Sequence, residues 1–181
     1  MADAVFTRWP AEAELTVAGA RNLIGSSNGA PLISLIEPAE AATFATAADG
    51  ALDLSPAPDG AMRYVLEQLS DTGPASEPYG VIMLVAFDIP AERADEVDRW
   101  YDEEHIGLLM KADGWLRARR YRVLRHEGGP RWTSMAFHQL RDQSVMDSPE
   151  RAFARSTAWR AELERDAWFR KAGRGVFGLL R

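Results

Sequence analysis

The chain of 181 residues contains no cysteine. That excludes disulfides, thiolate nucleophiles and cysteine–zinc centres at once. No stretch approaches the roughly 20 consecutive apolar residues of a membrane-spanning helix, so no membrane partner is expected. The opening MADAVFTRWPAEAE has neither a basic leader segment nor an apolar run, so no secretory signal is expected and a cytoplasmic location is the default. Positive charge is also short: the net charge of −6 at pH 7 argues against a nucleic-acid partner, which needs a positive surface to displace counterions. No HExxH, P-loop, GxGxxG or GxSxG stands in the sequence. Only three histidines occur, and none forms a ligand pair of diagnostic spacing, so neither a metal nor a cofactor is expected.

The second half has the plainer pattern. Residues 79–90, YGVIMLVAFDIP, form a continuous apolar run of strand length between Pro78 and Pro90. Residues 91–114 are helical in pattern, with acidic first turns and a Gly stop. Residues 115–140 suggest two strands about the turn EGGP. Residues 147–168 suggest a helix opened by Ser148 as N-cap and Pro149 as first helical residue, and residues 173–181 a closing strand. The order βαββαβ is that of a ferredoxin-like split βαβ unit.

The first half looks like a worn copy. Residues 18–39 align with 118–140 as strand, Gly-containing turn and strand, residues 39–52 as the second helix, and residues 61–70 as the closing strand. Little before residue 15 suggests a first strand, so this copy is expected to be truncated. The expected fold class is α+β: a degraded repeat over 1–72 and a complete one over 73–181, with antiparallel sheets and helices outside. An incomplete first sheet, with PLISLI (31–36) as an exposed edge, favours a homodimer.

The stretch WYDEEHIGLL, residues 100–109, raises the functional question. At about 100° per residue, Ala94, Val97, Tyr101 and Leu108 share one stripe, with Trp100 beside it. Glu104 falls in the middle of that stripe and His105 at its edge, whereas Asp95, Arg99, Asp102 and Glu103 point to solvent. A buried carboxylate costs several kcal/mol unless it is paired or protonated. One reading is structural, with Arg117, Arg119, Arg120 or Arg122 of the next strand neutralising Glu104. The other is a cavity between helix and sheet, in which Glu104 or His105 transfers protons. On the strand 133–140, the face of Ser134, Ala136 and His138 is small enough to leave room beneath the helix. His126, beside EGGP, is expected in solvent. Of the six tryptophans, one or two are expected to floor a pocket for an aromatic or polyketide-like ligand.

The run WYDEEHIGLLMKADGWLRARRYRVL, followed by SPE and STAW, resembles the EthD-like branch of the dimeric α/β-barrel superfamily. Trp100, Tyr101, Glu104 and His105 match its Trp-Tyr-x-x-Glu-His run, Gly114 and Trp115 its turn, and Arg119, Arg120 and Tyr121 its arginine-rich strand. Asp113 and Gly107 replace the usual prolines, and the first copy has no such run. The resemblance implies two ferredoxin-like sheets closing face to face, with small pockets between helix and sheet. Relatives include cofactor-free cyclases, isomerases and monooxygenases, and proteins without known activity, so fold alone does not decide function.

The expected function is therefore a cofactor-independent lyase, isomerase or cyclase acting on a small aromatic or polyketide-like carbonyl compound. His105 would be general base, Glu104 its orienting group, and Tyr101 or Arg120 the enolate stabiliser, with His138 as partner acid. Trp100, Arg120, Trp115 and Ser134 would line the substrate. The alternatives are a cofactor-free monooxygenase and a non-catalytic ligand-binding or accessory protein.

Overall fold

The computed structural model describes residues 1–10, 15–25, 29–36 and 38–180. Two compact units emerge. The first gathers Met1–Leu69, Tyr121–Arg131 and Gly175–Arg181, and the second Ser70–Arg120 and Trp132–Arg174. No helix among the described residues is long and apolar enough to cross a membrane.

In the second unit the expected order appears. Strand β5 (Val81–Phe87) is buried along nearly its whole length, as a continuous apolar run requires. It pairs antiparallel with β7 (Ser134–Leu140), placing Met83 opposite His138, Val85 opposite Ala136 and Phe87 opposite Ser134. Strand β6 (Trp115–Glu127) follows β7 in the sheet and continues from this unit into the first. Above the sheet lies an aromatic and aliphatic core that includes Phe87, Val97, Trp100, Tyr101, Ala118, Ala136 and Phe169. Because Ala136 belongs to it, the Ser134–Ala136–His138 face of β7 is the one turned to the helices.

The helices are more broken than the periodicity predicts. Residues 91–114 contain a short 3₁₀ turn, α2 (Ala94–Trp100), a π-turn (Tyr101–His105) and α3 (Ile106–Leu109). Ser148 does cap α4 (Pro149–Ala154), accepting from the Arg151 N–H at 3.3 Å. The single helix expected over 147–168 is nevertheless three pieces, α4, α5 (Ala158–Leu163) and α6 (Ala167–Arg170). Thr157 restarts the helix as a new N-cap, accepting from the Arg160 N–H at 3.3 Å.

The first unit corrects three expectations. Residues Ala4–Trp9 are a buried strand, β1, so the copy does not lack its first strand. Residues Val17–Ile24, expected as strand, form α1, because Thr16 accepts the Gly19 N–H at 3.0 Å as an N-cap. Ala41–Thr46, expected as helix, is strand β3, buried at every position. Burial between neighbours on both sides outweighs the helical preference of its alanines. The turn expected near residues 25–31 falls partly on 26–28, outside the described residues. With β2 (Ala30–Ser34), β4 (Met62–Asp71) and the part of β8 (Gly173–Leu179) that belongs to it, the unit's strands run β8-β2-β3-β1-β4-β6. Strand β2 is paired on both sides, by β3 and β8, so PLISLI offers no open edge. The reason for expecting a homodimer, an incomplete first sheet, falls away. His126 is not free in solvent but stacks on Tyr64, with ring centroids 6.0 Å apart.

The turn feeding β6 needs a glycine. Gly114 has φ +84°, and a Cβ there would lie 2.8 Å from Val145 Cγ2 and 3.2 Å from Arg141 Cβ. Gly114→Ala is expected to cost about 2–3 kcal/mol in urea unfolding, from the disfavoured backbone region together with the clash. A loss under about 0.5 kcal/mol would mean that the turn relaxes freely.

Candidate functional site

The site grows from the π-turn. Its widened backbone closes from the Ile106 N–H to the Tyr101 carbonyl, five residues back. In a regular α-helix, residues five apart project about 140° from one another. Here Trp100 and His105 stack instead, with centroids 4.2 Å apart and planes at 22°. The extra residue also shifts the buried stripe: beyond the turn, Ile106 and Leu109 are the buried positions, rather than the expected Leu108.

Trp100 is 1% exposed and serves as the hub. Besides His105 it touches Tyr101 (4.6 Å) and Phe169 (5.7 Å, edge-on). Its indole Nε1 is buried without a hydrogen-bond partner, as is Nδ1 of His105. A buried polar atom of this kind is usually satisfied by an ordered water or by a bound partner.

Both histidines are held neutral. Burial, then the charge of Arg160, lowers His105 to about 3, with Arg155 and Arg151 adding to the effect and the Ala154 backbone opposing it. His138 also falls to about 3, from burial first and then the nearby His105 and Arg151. A proton on His105 therefore disfavours one on His138. Trp115 fixes the tautomer of His138 by donating its indole N–H to Nδ1 at 3.2 Å. An indole nitrogen only donates, so Nδ1 is the bare nitrogen and the neutral ring carries its proton on Nε2.

The remaining expected residues distribute unevenly. Tyr101 is buried, and loss of hydration raises its hydroxyl to about 12 against the opposing charges of Arg120, Arg160 and Arg174. It stays a neutral hydrogen-bonding group. The guanidinium of Arg120 lies 4.2 Å from the Tyr101 ring centre. It is not the neutraliser of Glu104. Arg120 bonds Asp98 and sits 3.5 Å from Asp102, a residue expected to face solvent. Glu104 instead accepts from the Thr157 hydroxyl at 2.7 Å, tying the π-turn to the start of α5. Ser134 lies on the His138 face but four residues along β7, about 13 Å away at strand spacing. The fold thus gathers Trp100, Tyr101, His105, Trp115 and His138, ties Glu104 to the helix beside them, and leaves Ser134 apart.

Sequence reasoning missed the arginines that surround the ring of His105. Arg151, Arg155 and Arg160 all act on it, and Arg160 is 6% exposed, held by Glu164 at 2.7 Å and by the Arg155 carbonyl at 3.1 Å. The signal was present: Arg151 and Arg155 are four apart, one helical turn, in a segment treated only as a helix. Among the described residues no three His, Asp or Glu side chains come together as a metal site.

Comparison with known proteins places the fold. No protein-family model and no curated protein matches the chain. Solved structures do. An anthrone oxidase-like protein superposes with a TM-score of 0.63 at 11% identity, covering 98% of this chain and 91% of its own. A ferredoxin-fold protein of Listeria monocytogenes related to antibiotic biosynthesis monooxygenases gives 0.59 at 10%, covering 99% and 95%. A heme-degrading enzyme from the same organism gives 0.57 at 9%, covering 97% and 99%. At these identities the likeness is one of fold: the chain has an α+β, ferredoxin-like architecture.

The depressed histidines make stability depend on pH. Both bind a proton more weakly folded than unfolded, so unfolding takes up protons between about pH 3 and 6.5. Stability is fully present above pH 6.5 and falls as the pH drops through that window. Each proton taken up adds about 1.4 kcal/mol per pH unit to the slope. Urea unfolding of His138→Gln between pH 4.5 and 6.5 is expected to show a shallower slope than the parent, whatever its absolute stability. Equal slopes would mean that His138 titrates normally.

Proposed function

We propose that the second unit is the active site of a small-molecule enzyme that removes a proton from an aromatic or polyketide-like carbonyl compound at His105. The resulting enolate then reacts with O₂ without a bound cofactor. The observation that carries this reading is a neutral imidazole stacked on Trp100, its Nδ1 buried and unpartnered, beside a second neutral imidazole. A base must be unprotonated and in reach of its proton, and an unengaged ring nitrogen meets the first condition at every physiological pH. Likeness to an anthrone oxidase-like protein and to a protein related to antibiotic biosynthesis monooxygenases supports oxidation as the outcome.

In this reading Trp100 orients His105 by stacking, and the Tyr101 hydroxyl donates to the enolate oxygen. Glu104 positions the turn through Thr157. Oxidation of an activated CH₂ by O₂ gives a ketone and one water, one oxygen atom entering each product, so the equation balances without an external reductant. The Trp115-directed tautomer gives His138 an Nε2 proton. That proton also suits a lyase, isomerase or cyclase, in which the enolate is reprotonated instead of oxidised.

Anthrone, whose CH₂ is flanked by two aromatic rings and lies across from a carbonyl, separates these outcomes. With it the protein is expected to consume O₂, and His105→Gln to lower kcat about 100-fold or more with unchanged circular dichroism. His105-dependent exchange of that CH₂ into D₂O without O₂ uptake would select the lyase or isomerase reading. Rates in His105→Gln equal to the parent in both assays would remove His105 from the chemistry.

A further inference from the structure

The first unit holds a cavity that the chemistry at His105 does not use. It measures about 490 Å³ and lies between the end of β1, helix α1 and the turn that contains Asp59 and Gly60. Small-molecule sites run from about 300 to 1,000 Å³. Trp9 lines it from the outer core of the unit, where its ring packs with Ala20, Ile24 and Leu180. Leu15 and Leu23 add apolar wall, and Leu23 is left 45% exposed beside it.

Both walls are fixed by the chain itself. Thr16 sets where α1 begins by accepting the Gly19 N–H at 3.0 Å. On the other side, Arg63 of β4 clamps the preceding loop with a side chain only 4% exposed. Its Nη1 donates to the carbonyls of Ser55 at 2.6 Å and Pro56 at 3.1 Å, and its Nε to Thr7 Oγ1 at 3.1 Å. Thr7 and Trp9 lie on one face of β1, so the clamp ties the loop to the strand face that carries Trp9. The Ala61 N–H then closes a turn on the Pro58 carbonyl at 2.9 Å. Within it Gly60 takes φ +72°, and a Cβ there would meet nothing within 4 Å, so the turn borders open space.

The charge in this cavity has one sign. Asp59 is the one charged side chain among the described lining residues, and among the described residues its carboxylate has no cation within 4 Å. The first turn of α1 also borders the space, and a helix N-terminus amounts to about half a positive charge. Thr16 already answers one of its N–H groups, and the full negative charge of Asp59 exceeds the remainder. Tryptophan is also the side chain whose ring attracts a cation most strongly.

We propose that this cavity binds a small organic amine, its apolar body against Trp9, Leu15 and Leu23 and its ammonium at Asp59. Every residue involved belongs to the first unit, so binding does not depend on the chemistry at His105.

Titration of the isotope-labelled full chain with tryptamine at low salt, followed by NMR, tests this. The amides of Gly19 and Gly60 are expected to shift with a Kd of about 1 mM or tighter, as suits a ligand of that size. The isosteric neutral alcohol tryptophol and the anion indole-3-acetate are expected to bind about fivefold more weakly, and Asp59→Asn to shrink that preference below about twofold. Asn22→Lys, on the exposed side of α1, places a cation in the same lining and is expected to weaken tryptamine while strengthening indole-3-acetate. His105→Gln is expected to leave all three titrations unchanged. Gly19 and Gly60 amides that tryptamine does not move would overturn the proposal. So would equal affinities for the three probes, tighter binding of indole-3-acetate by the parent, or a tryptamine preference that survives both substitutions.

Discussion

The stacking of Trp100 on His105, 4.2 Å between ring centres, is the contact on which the rest of the second unit turns. It requires the π-turn, because a regular helix would send the two rings to different faces. Once formed, it covers one face of the half-buried imidazole and places it within electrostatic reach of His138 on β7. The same hub contacts Phe169 of α6, so the rings join the π-turn to the last helix of the unit. A π-turn gives up regular hydrogen-bond geometry; here it redirects one polar side chain onto an aromatic surface.

Two polar devices stabilise that placement from opposite ends. Thr157 receives the Arg160 N–H as a helix cap and passes its own hydroxyl proton towards Glu104, so one side chain starts α5 and anchors the π-turn. Arg120 works from beneath, with Asp98 and Asp102 on one side and the Tyr101 ring under its guanidinium. Glu104 and Arg120, one of four strand arginines offered as its neutraliser, are therefore separate: each has a local partner, and neither cancels the other. Glu104 is only half-buried, and a hydroxyl rather than a charge is its partner.

What the sequence made legible follows from how local each signal was. The run at 81–87 reads directly as a buried strand and Ser148-Pro149 as a helix start, because caps and apolar runs are written in adjacent residues, whereas the helix expected to stop at Gly114 ends at Leu109. The first copy was harder. AATFAT lacks β-branched bulk except at its threonines, and only its pairing with β1 and β2 makes it a strand. Thr16 was an available cap signal for α1 that an assumed alignment with the second copy overrode. In the site, Tyr101, His105, Glu104 and His138 stood out because polar groups on an apolar stripe are anomalous. The π-turn did not stand out, since a fixed 100° period has no means of registering one inserted residue; Leu108 was therefore assigned a burial that Ile106 and Leu109 take. The arginines escaped because their meaning lies in how α4 and α5 meet the π-turn.

A pKa near 3 marks a weak base towards solvent, but the value belongs to the site without substrate. It is low for two reasons that act differently once a carbon acid lies against the ring. Repulsion from Arg160, Arg155 and Arg151 penalises a proton arriving from bulk water. A proton crossing from a substrate carbon only a few ångströms away is already inside the same positive field, so most of that penalty cancels between donor and acceptor. The arginines then favour the other product of the transfer, the enolate, whose charge is opposite to theirs. Desolvation behaves alike: an isolated imidazolium in a low-dielectric pocket is costly, whereas an imidazolium beside an enolate forms an ion pair whose attraction is strong for the same reason. An environment that resists protonation by solvent keeps the base free and still permits transfer from a bound acid. The half-buried, arginine-flanked ring is consistent with catalysis on that account, and its low affinity for solvent protons becomes part of how it would work.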